Sequence, residues 1–211
     1  WINAEKIETD QLINELKNVD GILIPGGFGY RGVEGKIQAI KFARENDIPF
    51  FGICLGMQLS VIEIARNLMG KQDSNSTEFK TSNNPVVSLM TEWNNENKTE
   101  KRDLTSDKGG TMRLGSYRAV LKKGSKIHNI YNSDEISERH RHRYEVNLSY
   151  TKDFEQKGFH FSGMSPDNIL PEVIESVNHK WFIGVQFHPE LKSRPLTPHP
   201  LFSSFIKHCI K

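Results

Sequence analysis

The hydrophobic and polar positions of residues 21–70 predict a strand, a helix, a second strand and a second helix in turn. "GILIPGGFG" at 21–29 is a short apolar run that breaks into glycines, as a buried strand does before a loop. "EGKIQAIKFAREN" at 34–46 repeats apolar residues at helical spacing. "IPFFGI" at 48–53 predicts the second strand, and "GMQLSVIEIARNLMG" at 56–70 the second helix. This alternation favours a parallel sheet with helices packed on its faces.

The remaining patterns are less regular. "TDQLINELKN" at 9–18 has the spacing of an amphipathic helix, whereas residues 91–111 are polar, charged and without period, which predicts a long mobile loop. "YRAVLKKGSKI" and "RYEVNLSY" are typical of strands, and "KWFIGVQFHPE" at 180–190 is an apolar strand that ends at Pro189. "HPLFSSFIKHCIK" predicts a closing helix. Because no internal repeat is present, we expect a single domain over residues 1–211.

Composition narrows the class of protein. The 28 Lys and Arg residues nearly balance the 26 Asp and Glu residues, so the charge gives no sign of a nucleic-acid or membrane partner. The sequence has no apolar run of transmembrane length and no signal peptide. Two cysteines do not make a disulfide framework, which favours a reducing compartment, the cytoplasm. Since the chain starts at Trp1, we expect it to be part of a longer protein.

The segment "GICLGMQ" places Cys54 between Gly52 and Gly56, where the second strand turns into the second helix. An abrupt turn of this kind brings neighbouring backbone close on both sides, and glycines remove the side chains that would clash. The helix N-terminus favours a thiolate, and the N–H of Leu55 can receive an oxyanion. Cys54 is therefore a candidate nucleophile, while Cys209, in the closing helix, is expected to serve packing.

A cysteine nucleophile needs a base and a group that orients the base. His188 and Glu190 are two residues apart at the end of a predicted strand, so they point to the same side of an extended chain. Functional groups in parallel sheets gather at the carboxyl ends of strands. The glycine loop "PGGFG" follows another strand end, and we assign the N–H of Gly27 as a second oxyanion donor.

The elbow cysteine, the glycine loop and the downstream His-x-Glu resemble the triad glutamine amidotransferases, which take ammonia from the side-chain amide of glutamine. Longer segments resemble one family among them, the glutaminase domains of CTP synthases. These segments, from about residue 21 to 202, are "PGGFGYRGVEGK", "GICLGMQ", "NSTEF", "GTMRLG", "ERHRHRYEVN", "SGMSPD" and "VQFHPELKSRPLTPHPLF". The resemblance implies a doubly wound, mostly parallel α/β sheet of the flavodoxin-like amidotransferase fold. It also implies that the fold's first strand and helix are lacking and that "WINAEKIE" is the second strand.

The resemblance implies further contacts with glutamine beyond the triad Cys54, His188 and Glu190. Glu78 matches the residue that meets the α-amino group, and Arg143 the residue that meets the α-carboxylate. A zwitterion needs one charge of each sign, and arginine offers a bidentate fork to a carboxylate. The remaining glutamine contacts implied are Gly27, Phe28, Leu55 and Gln58. His140 and His142 alone are a weak metal signal, and no metal is expected.

The resemblance also implies partners outside this chain. The synthetase domain, which uses ATP and magnesium, is absent, since no G-x-x-x-x-G-K-[ST] loop occurs here. The full-length enzyme is expected to form a homotetramer and to respond to GTP as an allosteric activator. Arg31, Gly32 and Arg113 are the candidate GTP contacts. This domain itself is expected to need no cofactor.

The function expected from these residues is hydrolysis of L-glutamine to glutamate and ammonia through a Cys54 thioester. In the full-length ligase of pyrimidine biosynthesis, the ammonia would aminate UTP to CTP at the expense of ATP. One alternative is a γ-glutamyl peptidase on the same fold, against which the pairing of Glu78 with Arg143 argues. The other is a non-catalytic regulatory or assembly module, against which the intact triad argues.

Overall fold

The computed structural model describes residues 1–5, 14–89, 92–95, 98–101 and 112–210. Its centre is a seven-stranded sheet of order β1-β2-β12-β11-β10-β7-β8. The strands of this sheet are β1 Ile22–Ile24, β2 Phe50–Ile53, β7 Arg113–Leu121, β8 Glu135–His142, β10 Phe159–Met164, β11 Pro171–Ser176 and β12 Phe182–Val185.

The sheet is mixed. β1, β2 and β12 pair in parallel, and the pairings from β12 through β11, β10 and β7 to β8 are antiparallel. Strands β1, β2, β12, β10 and β8 therefore run in one direction, and β11 and β7 run against them. The predicted α/β class with a mostly parallel sheet is confirmed, and the parallel pairings lie at the end of the sheet that carries the cysteine elbow.

Helices cover both faces of the sheet. The helices are α1 Val33–Glu45, α2 Leu55–Asn67, α3 Lys126–Tyr131, α4 Thr151–Gln156 and α5 Pro200–Cys209. Phe50 and Phe182 pack with α1, α2 and α4 in one hydrophobic core. Their chain neighbours Phe51 and Ile183 pack with α3 and α5 in a second core on the opposite face. The alternation of side chains along β2 and β12 thus divides the apolar residues between two layers.

Two small sheets accompany the main one. β3 Asn75–Ser76, β4 Pro85–Leu89 and β9 Tyr144–Val146 form a three-stranded sheet. β5 Glu92–Asn95 and β6 Lys98–Lys101 pair as an antiparallel hairpin within the segment that the sequence predicted as a loop. The other residues of 91–111 lie outside the described residues. Short 3-10 turns occupy Leu148–Tyr150 and Pro189–Leu191.

The predictions for the first eighteen residues are only partly within the described structure. Residues 1–5 contain no strand, and residues 6–13, which include the rest of "WINAEKIE" and most of the helix predicted at 9–18, lie outside the described residues. Residues 14–16 are helical. The helices predicted at 34–46 and 56–70 are confirmed as α1 and α2. None of the helices described is both long and apolar enough to cross a membrane.

Candidate active site

Cys54 forms a sharp corner between β2 and α2. Its backbone has φ 51° and ψ −101°, a conformation that side chains rarely adopt and that holds the residue at the N-cap of the helix. A Cβ added to Gly52 would lie 2.7 Å from the carbonyl carbon of Gly56, and a Cβ added to Gly56 would lie 2.3 Å from the carbonyl oxygen of Ile24. Both glycines are therefore required by close backbone approach, as the sequence pattern predicted.

The thiol of Cys54 is buried, with 2% of the residue exposed. Burial raises the pKa of the Cys54 thiol to about 12, although the N–H of Leu55 hydrogen-bonds to it and lowers the pKa. The carboxylates of Glu145, Glu190 and Glu78 raise it further. The expectation that the helix N-terminus favours a thiolate has the right sign, but desolvation outweighs it. Burial of Cys54 therefore favours the thiol over the thiolate.

His188 and Glu190 follow β12, the parallel neighbour of β2. The Nδ1 of His188 lies 2.6 Å from Oε1 of Glu190, and the His188 N–H donates to the carbonyl of Arg139 on β8 at 2.8 Å. Among the described residues, the buried Nε2 of His188 has no hydrogen-bond partner. A carboxylate at Nδ1 favours the tautomer with its proton there, which leaves the lone pair of Nε2 to accept a proton.

The glycine loop after β1 brings these groups together. A Cβ added to Gly26 would lie 2.7 Å from Cε1 of His188 and 3.6 Å from Cβ of Cys54, so the imidazole and the cysteine flank the same point of the loop. Gly27 approaches Leu55, whose Cδ2 would lie 3.2 Å from a Cβ at that position. The loop thus lies beside the N-terminus of α2, which makes Gly27 and Leu55, the two predicted oxyanion donors, close neighbours.

Two of the residues predicted to bind glutamine are tied to the glycine loop, since Phe28 belongs to it and Glu78 bonds to it. Glu78 is half-buried, and its Oε1 accepts the N–H of Gly29 at 2.8 Å. Phe28 is about half exposed, and the guanidinium of Arg141 lies 5.9 Å from the centre of its ring. Arg143 is half-buried between β8 and β9. Glu78 therefore anchors the glycine loop, a role that the sequence did not predict.

Gln58 is buried in the first turns of α2 and does not face open solvent. Its Nε2 donates to the carbonyl oxygen of Tyr144 at 2.9 Å and to Oε1 of Gln186 at 3.2 Å. Gln186 in turn donates its Nε2 to the sulfur of Cys54 at 3.7 Å. The sequence analysis missed Gln186, although its spacing of two residues from His188 was a usable signal.

The three candidate GTP contacts differ in their surroundings. Arg31 is exposed and pairs with Glu5 at 2.6 Å, and Gly32 has a left-handed conformation at the N-cap of α1 with φ 65°. Arg113, in contrast, is only 2% exposed and pairs with Glu172 at 2.6 Å and Glu145 at 3.4 Å. The guanidinium of Arg113 is thus committed to buried carboxylates, and the prediction that it contacts a triphosphate is corrected.

His140 and His142 belong to the same buried network as Arg113. The Nδ1 of His140 lies 2.9 Å from Nε2 of His142, and the Nε2 of His140 lies 3.6 Å from Oε2 of Glu172. Burial holds the pKa of His140 well below its usual range, and the charge of Arg113 acts in the same direction. Within the described residues, no cluster of three or more histidine, cysteine or acidic side chains has the geometry of a metal site.

Both cysteines of the chain are free, and they differ in setting. Cys54 lies in the elbow, and Cys209 ends α5, where its sulfur packs so closely on Gly21 that an added Cβ there would lie 2.3 Å away. Burial also raises the pKa of Cys209. The packing position predicted for Cys209 agrees with this contact.

Comparison with known proteins places this fold and site in a class. The family model for class-I glutamine amidotransferases matches residues 1–208. A putative GMP synthase protein from Thermoplasma acidophilum shares the fold at a TM-score of 0.56 and 17% identity, over 93% of this chain and 75% of that chain. The chain belongs to the class-I glutamine amidotransferase family.

More similar proteins define the branch of the family. The "CTP synthase" of Paramagnetospirillum magneticum is 56% identical over all 211 residues, which span 39% of that protein. The "CTP synthase" of Rhodopseudomonas palustris strain HaA2 is 61% identical over 98% of this chain and 38% of the relative. The glutaminase domain of Trypanosoma brucei CTPS, solved with bound acivicin, superimposes with a TM-score of 0.88 at 38% identity, over 99% of this chain and 79% of that chain. Within the family, the chain groups with the glutaminase domains of CTP synthases, and it spans about two fifths of the length of these curated relatives.

Proposed function

We propose that the chain hydrolyses L-glutamine to glutamate and ammonia with Cys54 as nucleophile, His188 as general base and acid, and Glu190 as the orienting carboxylate. The observation that carries the proposal is the meeting of a strained elbow cysteine with a carboxylate-bound imidazole at the ends of two paired parallel strands, β2 and β12. This arrangement is the one that activates a weak nucleophile by an adjacent base.

The first half of the reaction forms a thioester. Because burial keeps Cys54 protonated, its proton passes to Nε2 of His188 as the sulfur attacks the amide carbon of glutamine. The amide oxygen becomes an oxyanion, which the N–H groups of Leu55 and Gly27 receive. His188 then returns the proton to the leaving nitrogen, the C–N bond breaks, and ammonia departs.

The second half regenerates the enzyme. A water molecule gives a proton to Nε2 of His188 and attacks the thioester carbon. The same N–H groups receive the second oxyanion. The C–S bond breaks, the sulfur of Cys54 recovers its proton, and glutamate leaves.

Recognition of the free amino acid is assigned to Glu78 and Arg143. Glu78 would meet the α-amino group, and Arg143 the α-carboxylate, so that a zwitterion finds one charge of each sign. Phe28 would form a wall of the pocket, and Gln58 would contact the substrate from α2. A γ-glutamyl peptide differs from glutamine by a substituent on its γ-amide nitrogen. It keeps the amide carbon that the triad would attack, so γ-glutamyl peptidase activity stays the alternative.

The full-length protein is proposed to be a CTP synthase. Its synthetase domain would bind ATP and magnesium and use the ammonia to convert UTP to CTP, and the proposal is supported by the chain's spanning only 39% of a relative named CTP synthase. GTP is proposed as an activator, with exposed Arg31 and Gly32 as the remaining candidate contacts. A homotetramer in the cytoplasm is proposed for the full-length enzyme.

Covalent trapping tests the proposal. A glutamine-derived electrophile such as acivicin, which is bound in the Trypanosoma brucei domain, should add to Cys54, and the adduct should be found in its peptide by mass spectrometry. Cys54→Ala should abolish both labelling and glutamine hydrolysis, whereas Cys209→Ala should leave both intact. Labelling at Cys209 alone, or hydrolysis that survives Cys54→Ala, would exclude this mechanism. Faster cleavage of a γ-glutamyl peptide than of free glutamine would favour the peptidase.

A further inference from the structure

Gln186 is placed beside the Cys54 sulfur by the parallel pairing of β2 and β12. The last pair in that register joins Ile53 to Val185, so Gln186 is the next neighbour of Cys54 across the strands. The Cys54 N–H donates to the Val185 carbonyl at 2.7 Å, and the Gln186 N–H donates to the Glu172 carbonyl at 2.9 Å. Gln186 is fully buried, and its position is therefore held by backbone bonds on both sides.

The direction of its side-chain amide is fixed by a chain of three hydrogen bonds. The carbonyl oxygen of Tyr144 can only accept, so Nε2 of Gln58 must face it, at 2.9 Å. The second proton of that Nε2 then points to Oε1 of Gln186, at 3.2 Å. With its oxygen engaged in this way, Gln186 presents its Nε2 to the Cys54 sulfur at 3.7 Å. The network begins at a main-chain acceptor and ends at the sulfur with a donor.

We propose that Gln186 is a hydrogen-bond donor to the Cys54 sulfur, that it stabilises the thiolate formed during catalysis, and that Gln58 is the positioning residue that fixes the direction of this donor. The proposal rests on the proposed function of Cys54 as nucleophile. It gives Gln58 a second task besides contact with glutamine, and it adds to the site a residue that neither the triad nor the oxyanion donors include.

The charges around the sulfur explain why such a donor is useful. The site is buried, and the groups that act on Cys54 electrostatically include the carboxylates of Glu145, Glu190 and Glu78, all of which oppose a negative sulfur. His188, on the segment after β12, takes the proton of Cys54 in the proposed reaction. The N–H of Leu55, on α2, must be available to the oxyanion. A neutral amide donor stabilises the thiolate without adding a permanent charge to the site.

The test is the pH profile of Cys54 alkylation by iodoacetamide in the natural full-length protein, followed at the Cys54 peptide by mass spectrometry. Gln186→Met keeps the length of the side chain and removes the donor. We expect the labelling rate of this variant to be about 10- to 100-fold lower than that of the wild type throughout the pH range in which both proteins stay folded, because the loss of a hydrogen bond to a charged group usually raises a pKa by about one to two units. At a pH below the pKa of Cys54, the labelling rate should fall about tenfold for each unit by which that pKa rises. The value of kcat/KM for glutamine should fall as well.

Two further variants complete the design. Gln58→Met leaves Gln186 in place but removes the hydrogen bond to Oε1 of Gln186. The amide of Gln186 is then free to turn its oxygen toward the sulfur, so this variant should shift the profile in the same direction by a smaller amount. Gln72→Met is the matched control, because Gln72 is an exposed glutamine whose amide donates to the carbonyl of Arg66, and its profile should equal that of the wild type. The melting temperature is recorded for every variant.

The outcomes separate a donor from a structural role. A lower melting temperature with an unchanged alkylation profile in Gln186→Met would overturn the proposal. If Gln186→Met does not fold, the profile of Gln58→Met decides, and a profile equal to that of Gln72→Met contradicts the proposal. A wild-type protein that neither hydrolyses glutamine nor reacts with acivicin refutes the proposed function instead, and the iodoacetamide profiles still report whether Gln186 acts on the sulfur.

Discussion

Single residues in this site are held in states that differ from those the proposed reaction would require. Cys54 is a buried thiol whose pKa is raised to about 12, and the Nε2 of His188 is buried with no hydrogen-bond partner among the described residues. In the proposed mechanism, the orientation of His188 by Glu190 therefore matters more than the equilibrium amount of thiolate.

Arg143→Ala should weaken the binding of glutamine by roughly 2–5 kcal/mol, the usual scale for truncating one partner of a buried charge pair. The loss should be measured as a higher KM for glutamine. A substrate that lacks the α-carboxylate should be affected much less. Arg118→Ala is the control, since Arg118 is an exposed arginine on β7 that pairs with Glu135, and its KM should not change. Equal losses on both substrates would mean that Arg143 supports the structure.

At the scale of elements, the elbow depends on the meeting of β1, β2 and the start of α2. A Cβ on Gly56 would lie 2.3 Å from a carbonyl oxygen of β1, and backbone cannot yield as the end of a side chain can. The glycine loop after β1 in turn lies against His188 and Leu55. A shift of α2 would therefore move Cys54 and Leu55 relative to His188 and to the glycine loop.

Gly56→Ala should lower the turnover of glutamine by about 10²-fold, the scale expected for a misplacement of about 1 Å at a reacting group. It should also destabilise the fold by about 1–3 kcal/mol, as overpacking does. Gly70→Ala is the matched control. It introduces strain at a φ of +71° but meets no atom within 4 Å, so its turnover should equal that of the wild type. Normal turnover in Gly56→Ala would show that the elbow tolerates a side chain.

At the scale of the whole molecule, two arginines predicted for one effector have different roles. Arg113 joins β7 to β9 and β11 through Glu145 and Glu172, and its guanidinium also lies 4.4 Å from the ring centre of Tyr117. Arg31 lies on the surface, with 80% of its side chain exposed. The first arginine is part of the core, and the second is available to a ligand.

Arg113→Ala should cost about 3–5 kcal/mol of stability, because removal of one partner leaves buried Glu172 without its counter-charge. Arg31→Ala should leave the free energy of unfolding essentially unchanged, because exposed ion pairs contribute little to stability. In the full-length enzyme, Arg31→Ala should reduce activation by GTP more than basal glutamine hydrolysis. Denaturant unfolding and GTP titration measure both effects. A stable Arg113→Ala variant would contradict the assignment to the core, and unchanged GTP activation in Arg31→Ala would remove that residue as a contact.

The edge of the sheet at β1 is open within the described residues, since β1 pairs only with β2. A groove of about 890 Å³ lies along this edge, lined by residues 1–5, Leu16, Val19 and β1 itself. Leu23 on β1 is 39% exposed there. An unpaired edge with apolar residues beside it is a place where a further strand can add.

Lengthening the chain upstream by its natural sequence, through one more strand and helix, should raise both the melting temperature and the turnover of glutamine. The reason is that a strand beside β1 would satisfy its free edge and cover the groove, and β1 supports the glycine loop of the site. Thermal unfolding and glutaminase assays on the two lengths measure this. Equal stability and equal turnover would show that the edge needs no further strand.

The sequence alone determined the features that depend on local pattern. The two helices α1 and α2, the elbow at Cys54 and the spacing of His188 from Glu190 could be predicted, because helical periodicity, glycine spacing and strand alternation are read from neighbouring residues. β10 and β11 were not predicted. β11 is buried along its whole length and includes Glu172 and Glu175, so it shows neither alternation nor an apolar run.

Only the tertiary structure decided the partners of the buried polar groups. Arg113 was a candidate GTP contact because the family resemblance implied it, and its carboxylate partners are 32 and 59 residues away in sequence. Gln186 contacts Gln58 and Cys54 across more than 120 residues, a contact that follows from the register of β2 with β12. Burial then sets the pKa of Cys54, because desolvation raises it more than the N–H of Leu55 at the helix N-terminus lowers it. A pattern along the chain specifies which chemistry is present, but the strand register and the exclusion of water decide which groups meet and in which charge state.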